Sequence, residues 1–87
     1  MAVWGADIDQ LKNLGKKLGS GAEEILQTKN TLTNALEGTT WFGPDADKFR
    51  SEWSGTHMTS LNRVIDALRE AGTRAGKNAD EQTTASA

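Results

Sequence analysis

His57 is the sole histidine in this 87-residue chain, and histidine is the side chain whose charge ordinarily changes near neutral pH. A catalytic use would require a nucleophile, a base and a group that orients them. No such set is assembled around it. His57 sits one helical turn from Trp53 and from Leu61 on an apolar stripe, so it reads as a semi-buried packing residue. The carboxylates Asp45, Asp47, Glu52, Asp66 and Glu70 are scattered along one helical pattern, as on a solvated face. Cysteine is absent, which leaves neither a thiolate metal site nor a disulfide, and one histidine does not make a metal site alone. Gly19-Ser20-Gly21 is preceded by no strand and followed by no Lys-Ser or Lys-Thr at the spacing of a phosphate-cradling loop. The residues therefore predict no enzyme, with no catalytic, cofactor-binding or metal-binding group.

The residues that remain distinctive are aromatic. Trp41, Phe42 and Gly43 lie in the segment Gly38-Thr39-Thr40-Trp41-Phe42-Gly43-Pro44-Asp45, which contains the chain's only proline. This clustering of breakers and adjacent aromatics predicts a turn. Two roles suit the aromatics. They can close one end of a helical core, with Trp41 over Phe49, or they can form a recognition knob on a rigid turn. Gly43 would permit a backbone angle or approach that a side chain forbids. Trp53-Ser54-Gly55 repeats the Trp-x-Gly spelling but falls inside a helical pattern with no turn signal around it.

Two elements must position this turn. On its N-terminal side Trp4, Leu11, Leu18, Ile25 and Leu32 recur every seventh residue, interleaved with a second row of Ile8, Gly15, Ala22, Lys29 and Leu36. That is a heptad seam. Gly15 and Ala22 would let a neighbouring backbone come close. Asp7 with Gln10 reads as a helix N-cap and Gly38 as a stop, giving a first helix over about residues 7–37, with a weak or bent stretch expected from Gly15 to Gly21. After the turn over 38–43, Pro44 suits a first helical position, and Asp45 and Asp47 suit the positive end of a helix. The second seam runs Ala46, Phe49, Trp53, His57, Leu61, Val64, Leu68, Ala71 and Ala75, widened by Ile65. It predicts a second helix over about 44–77. Residues 78–87 offer no large apolar side chain and read as a frayed or flexible tail.

The expected fold is a single all-α domain over 1–87, an antiparallel two-helix hairpin. With 36% hydrophobic residues and 6% aromatic, core material is scarce for so small a chain. Each apolar stripe is also wider than one facing helix covers. Pairing of two hairpins into a four-helix bundle is therefore expected. The dimer seam would use Leu11, Leu18, Ile25, Leu32, Phe49, Trp53, Leu61, Val64 and Leu68. Ten basic against twelve acidic residues give a formal charge of -2, which provides no field for nucleic acid. No strongly basic amphipathic face supports membrane insertion. Residues 1–5 lack a basic segment followed by an apolar one, so the general secretory route is not expected.

The run from Trp41-Phe42-Gly43 through Pro44-Asp45-Ala46-Asp47-Lys48-Phe49-Arg50-Ser51-Glu52-Trp53 resembles the WXG family, the ESAT-like small helical hairpins of type VII secretion in Gram-positive bacteria. With the length, the two flanking helical patterns and the absence of cysteine, the resemblance spans nearly the whole chain. It implies a homodimer or a heterodimer with a paralogous WXG protein, made in the cytoplasm and secreted without a cleavable signal peptide. It also implies a secretion ATPase as partner, with Trp41 and Gly43 as motif residues for bundle packing and recognition. Family members, or one of each pair, carry Tyr-x-x-x-Asp or Tyr-x-x-x-Glu after the second helix. This chain has no tyrosine, and Ala75 stands near the comparable place. Either a paralogous partner supplies that signal or a divergent one lies around Asp80 and Glu81. An adaptor or chaperone that stays in the cell, packed on a larger helical effector, is the alternative function.

Overall fold

The computed structural model describes residues 7–86, with side chains through residue 85. Trp4, the first member of the heptad row, lies outside the described residues, as does Ala87. Three α-helices and one π-helical turn follow in order: α1 (Ile8–Glu37), α2 (Pro44–Glu52), the π-turn (Trp53–His57) and α3 (Met58–Ser86). Residues 52, 53 and 58 all keep right-handed helical angles. Hence α2, the π-turn and α3 form one continuous arm, and the chain is an all-helical hairpin.

Local chemistry accounts for the boundaries. The Asp7 carboxylate accepts from the Gln10 N–H at 3.0 Å, capping the first turn of α1. At the other end the Gly38 N–H donates to Asn34 O at 2.9 Å and the Thr39 N–H to Leu36 O at 3.3 Å, so the last carbonyls find donors. Gly38 itself keeps a right-handed backbone, so the stop at this residue does not use the left-handed geometry that favours glycine. Gly43 does require glycine: its φ of 122° and ψ of 176° lie where a Cβ is strained. No atom lies within 4 Å of a Cβ built there, so the angle is the requirement and close approach is not. Pro44 then opens α2, with Asp45 and Asp47 in the first turn.

α1 packs along α3, whereas α2 lies against the π-turn and the connecting segment. Glycine meets glycine where the two arms cross. A Cβ on Gly72 would stand 2.9 Å from Gly15 O, and one on Gly15 would stand 3.0 Å from Gly72 O. This realises the tight crossing expected at Gly15. The helix runs unbroken through Gly15–Gly21, with Gly15 packed on α3.

The interior is built from small side chains. Ala22, Ala46, Ala75 and Ala79 are buried together with Ile65 and Lys29, and no large side chain is completely buried among the described residues. Polar contacts cross the hairpin and set its register: Trp53 Nε1 donates to Thr33 Oγ1 at 3.0 Å, Lys29 Nζ to Asn62 Oδ1 at 2.7 Å, and Arg69 Nη2 to Glu23 Oε1 at 2.8 Å. The last pair is half exposed and contributes little, about 0–1 kcal/mol.

Two expectations need correction. The second helical arm does not end near Lys77: α3 continues to Ser86. The reason is Ala79, fully buried one turn beyond Ala75, which extends the small-residue stripe past the last large apolar group. Thr83 and Thr84 add hydrogen bonds from Oγ1 to the carbonyls of Ala79 and Asp80. The second correction is His57, which is exposed rather than semi-buried. In the π-turn the Met58 N–H donates to Trp53 O, so the five-residue step brings half-buried Met58 to the position that a four-residue step would give His57. Trp53-Ser54-Gly55 thus marks a real irregularity in the helix.

Candidate interaction face

The interleaved rows of α1 do different work. In the middle of the helix Gly15, Ala22 and Lys29 turn towards α3, while Leu18 and Ile25 are half buried and Leu32 is exposed. On α3 the same division separates buried Ile65 and Ala75 from half-exposed Leu61 and Leu68 and exposed Val64. Leu11 and Trp53 are half buried, and Phe49 is exposed. None of the residues expected in the dimer seam is buried within the hairpin. Leu32, Phe49 and Val64 among them are exposed, and the others are half buried.

Two open hollows join on this face. One, of about 370 Å³, is lined by Ile25, Thr28, Lys29, Leu32, Trp53, Leu61 and Glu24. The other, of about 310 Å³, is lined by Leu32, Leu36, Thr39, Trp41, Phe49, Trp53 and Ala35. Leu32 and Trp53 belong to both, so an apolar trough runs from mid-α1 to the turn.

At its closed end stands a ladder of rings. Trp41 meets Phe49 at 6.0 Å between centroids, Phe49 stacks on Trp53 at 6.5 Å and 17°, and His57 follows Trp53 at 6.3 Å. The connecting segment is tied to α2 through Arg50, whose Nη1 donates to Trp41 O at 2.7 Å and Nη2 to Thr39 O at 3.1 Å. Its guanidinium also lies 5.9 Å from the Trp41 ring centroid, within cation–π range. Arg50 holds the Trp-x-Gly segment as a fork holds two carbonyls. Sequence reading passes over it, because an arginine on an amphipathic helix carries no signal of what it will reach.

The tryptophan and its neighbour differ in exposure. Trp41 packs on Phe49 yet remains 39% exposed, and Phe42 is 87% exposed. Trp41 closes the end of the ladder, and Phe42 projects into solvent. Gly72 is the other residue passed over, although the four-residue spacing of Gly72 and Gly76, matching Gly15 and Gly19, was a readable sign of a close crossing.

Asp80 and Glu81 are exposed on α3. From Pro44 to Asp80 the helical rise amounts to about 50 Å, so the chain does not bring the tail acids to the Trp41 turn. Among the described residues no three His, Asp or Glu side chains form a group that could hold a metal ion, and no helix is long and apolar enough to cross a membrane.

Comparison with known proteins adds no relative: no family model matches the chain, and neither a curated protein nor a solved structure does.

Proposed function

We propose that this hairpin works by packing its apolar face on another helical hairpin, as a WXG-type protein of type VII secretion, either a secreted substrate or the partner co-secreted with one. The observation that carries the reading is the division of labour along the helices: alanine and glycine close the hairpin, while Leu32 and Val64 stay exposed and Leu18, Ile25, Leu61 and Leu68 stay only half buried. Surface area agrees in magnitude. The chain exposes 6594 Å², whereas a compact monomer of 9.4 kDa shows about 5,000 Å². The surplus is on the order of 1,500 Å² by that scaling, against about 800 Å² that one partner yields in a standard interface.

The Trp41-Phe42-Gly43 turn supports the family reading. Its glycine occupies an angle only glycine adopts easily, and its aromatics stand just before the start of α2, with Trp41 on Phe49. A four-helix bundle with a second copy or a paralogous chain, engaged by a secretion ATPase, follows from that resemblance, as does a non-enzymatic role. The competing adaptor reading uses the same face on a larger effector.

Light scattering of the purified chain across dilution, alone and with Ile25→Glu, tests the pairing. Association that Ile25→Glu abolishes, with helicity intact by circular dichroism, supports it; an oligomer whose mass Ile25→Glu leaves unchanged sinks the use of this face, and a monomer in both samples assigns the face to a paralogous chain. Expression in a Gram-positive host with an active type VII system separates the two functions. Appearance in the medium marks a secreted protein, and retention with a bound larger chain marks an adaptor.

A further inference from the structure

The row Leu18, Ile25 and Leu32 of α1 has neighbours on both sides. On one side lie Ala22 and Lys29, buried in the hairpin. On the other lie Gly21, Thr28 and Ala35, none of them buried. Together Leu18, Gly21, Ile25, Thr28, Leu32 and Ala35 step along α1 by alternating intervals of three and four residues, the spacing of a coiled-coil seam. Ile25, Thr28, Leu32 and Ala35 line the trough, and the same period carries Leu18 and Gly21 onto the continuation of that face. The seam is about 25 Å long.

Its spacing reads the same in both directions. About a point between residues 26 and 27, Leu18 is the counterpart of Ala35, Gly21 of Leu32 and Ile25 of Thr28. Each couple sets a larger apolar side chain against a smaller residue. The most unequal couple is Gly21 and Leu32. Leu32 is 49% exposed, whereas a Cβ built on Gly21 meets no atom within 4 Å, so an open notch lies at the level to which a reversed copy brings its Leu32. A parallel copy in register would set Leu32 on Leu32 and Gly21 on Gly21, and the notch would stay empty, forfeiting contacts. Glu24 and Lys29 are equally spaced about the same point. Glu24 is exposed on the lining of the hollow that contains Lys29, so reversal brings each lysine level with an acid of the other copy. A two-fold pair meets through one shared patch, and every such couple occurs twice.

We infer that the occupant of this face is a second copy of the chain, laid antiparallel along α1 with its two-fold axis passing between residues 26 and 27, so that Leu32 of each copy seats at Gly21 of the other. The inference rests on the pairing proposed above and specifies its partner, direction and register.

The chain has no cysteine, so single introduced thiols report the register without competitors. Gly21→Cys and Leu32→Cys are prepared separately, with circular dichroism verifying that each stays helical. Leu18→Cys and Ala35→Cys make a second couple that decides the matter if a member of the first fails to fold. Each variant is equilibrated in a glutathione redox buffer, alone and mixed with its counterpart, and linked dimers are measured by non-reducing electrophoresis. Sedimentation equilibrium gives the mass of the wild type. The expected result is a wild-type dimer and mixed couples that link at least tenfold more than either variant alone, because two copies of position 21 would stand about 17 Å apart along the axis, beyond the span of a disulfide. A wild-type dimer whose mixed couples link no better than the single variants overturns the inference. The pairing survives that outcome if Ile25→Glu dissociates the dimer and falls with it if the mass is unchanged. A monomeric wild type overturns the second copy as occupant and leaves the face to a paralogous chain.

Discussion

Gly43 and Trp41 belong to one short motif but contribute by different physics. Gly43 is a backbone requirement, with φ at 122°. Gly43→Ala is expected to lower stability by about 1–3 kcal/mol, read from urea unfolding followed by circular dichroism; a loss near zero would mean that the turn relaxes to a different angle. Trp41 is a packing residue with part of its ring in water. Because it is 39% exposed, Trp41→Ala should cost less than removal of a fully buried aromatic, about 1–2 kcal/mol, measured in the same titration. A Trp41→Ala protein that keeps its stability yet is no longer exported would make the ring a recognition group. Neither magnitude was readable from the three letters of the motif. They fix residue types, whereas the exposure of Trp41 depends on where Arg50 and Phe49 hold the segment.

The helices show which parts of the fold are legible in sequence. The start at Ile8 after Asp7, the end at Glu37 before Gly38, and the opening of α2 at Pro44 all follow from capping chemistry that acts within a few residues. Of the nine residues expected in the dimer seam, Ile25, Leu32, Phe49, Trp53 and Leu61 line one trough, and Leu11, Leu18, Val64 and Leu68 lie outside its lining. What was not legible depends on contacts distant in sequence. The length of α3 rests on Ala79 finding cover, and alanine gives no periodic signal of burial. The π-turn rests on Trp53 reaching Thr33 across the hairpin, which no local pattern announces. Glycines in the helices likewise divide by their surroundings. Gly72→Ala should destabilise the hairpin, since its Cβ would lie 2.9 Å from Gly15 O and the helices would have to separate. Gly19→Ala and Gly21→Ala, with nothing within 4 Å, should each stabilise by about 1 kcal/mol through helix propensity. Thermal unfolding of the three variants checks the opposite signs.

The whole molecule is a rod of 64 × 18 × 16 Å, with its ends held unequally. Deleting residues 78–87 should lower stability by about 1 kcal/mol, as Ala79 leaves the interior and the last turns of α3 are lost. An unchanged denaturation midpoint would mean that those turns hold nothing in place. The Arg50 fork has a mechanical consequence for the same rod. Because both guanidinium bonds run to carbonyls of the connecting segment, while Thr39 also bonds back to Leu36 O and Ala35 O of α1, the loop is anchored to both arms and its far side is held by the second. Under tension applied at the two chain ends, the hairpin would open as a zipper from its glycine–alanine end, and α1 would peel away first. The last joint to yield would be the short stretch after Glu37, with Trp41 still seated on Phe49 while the rest of the first arm hangs free.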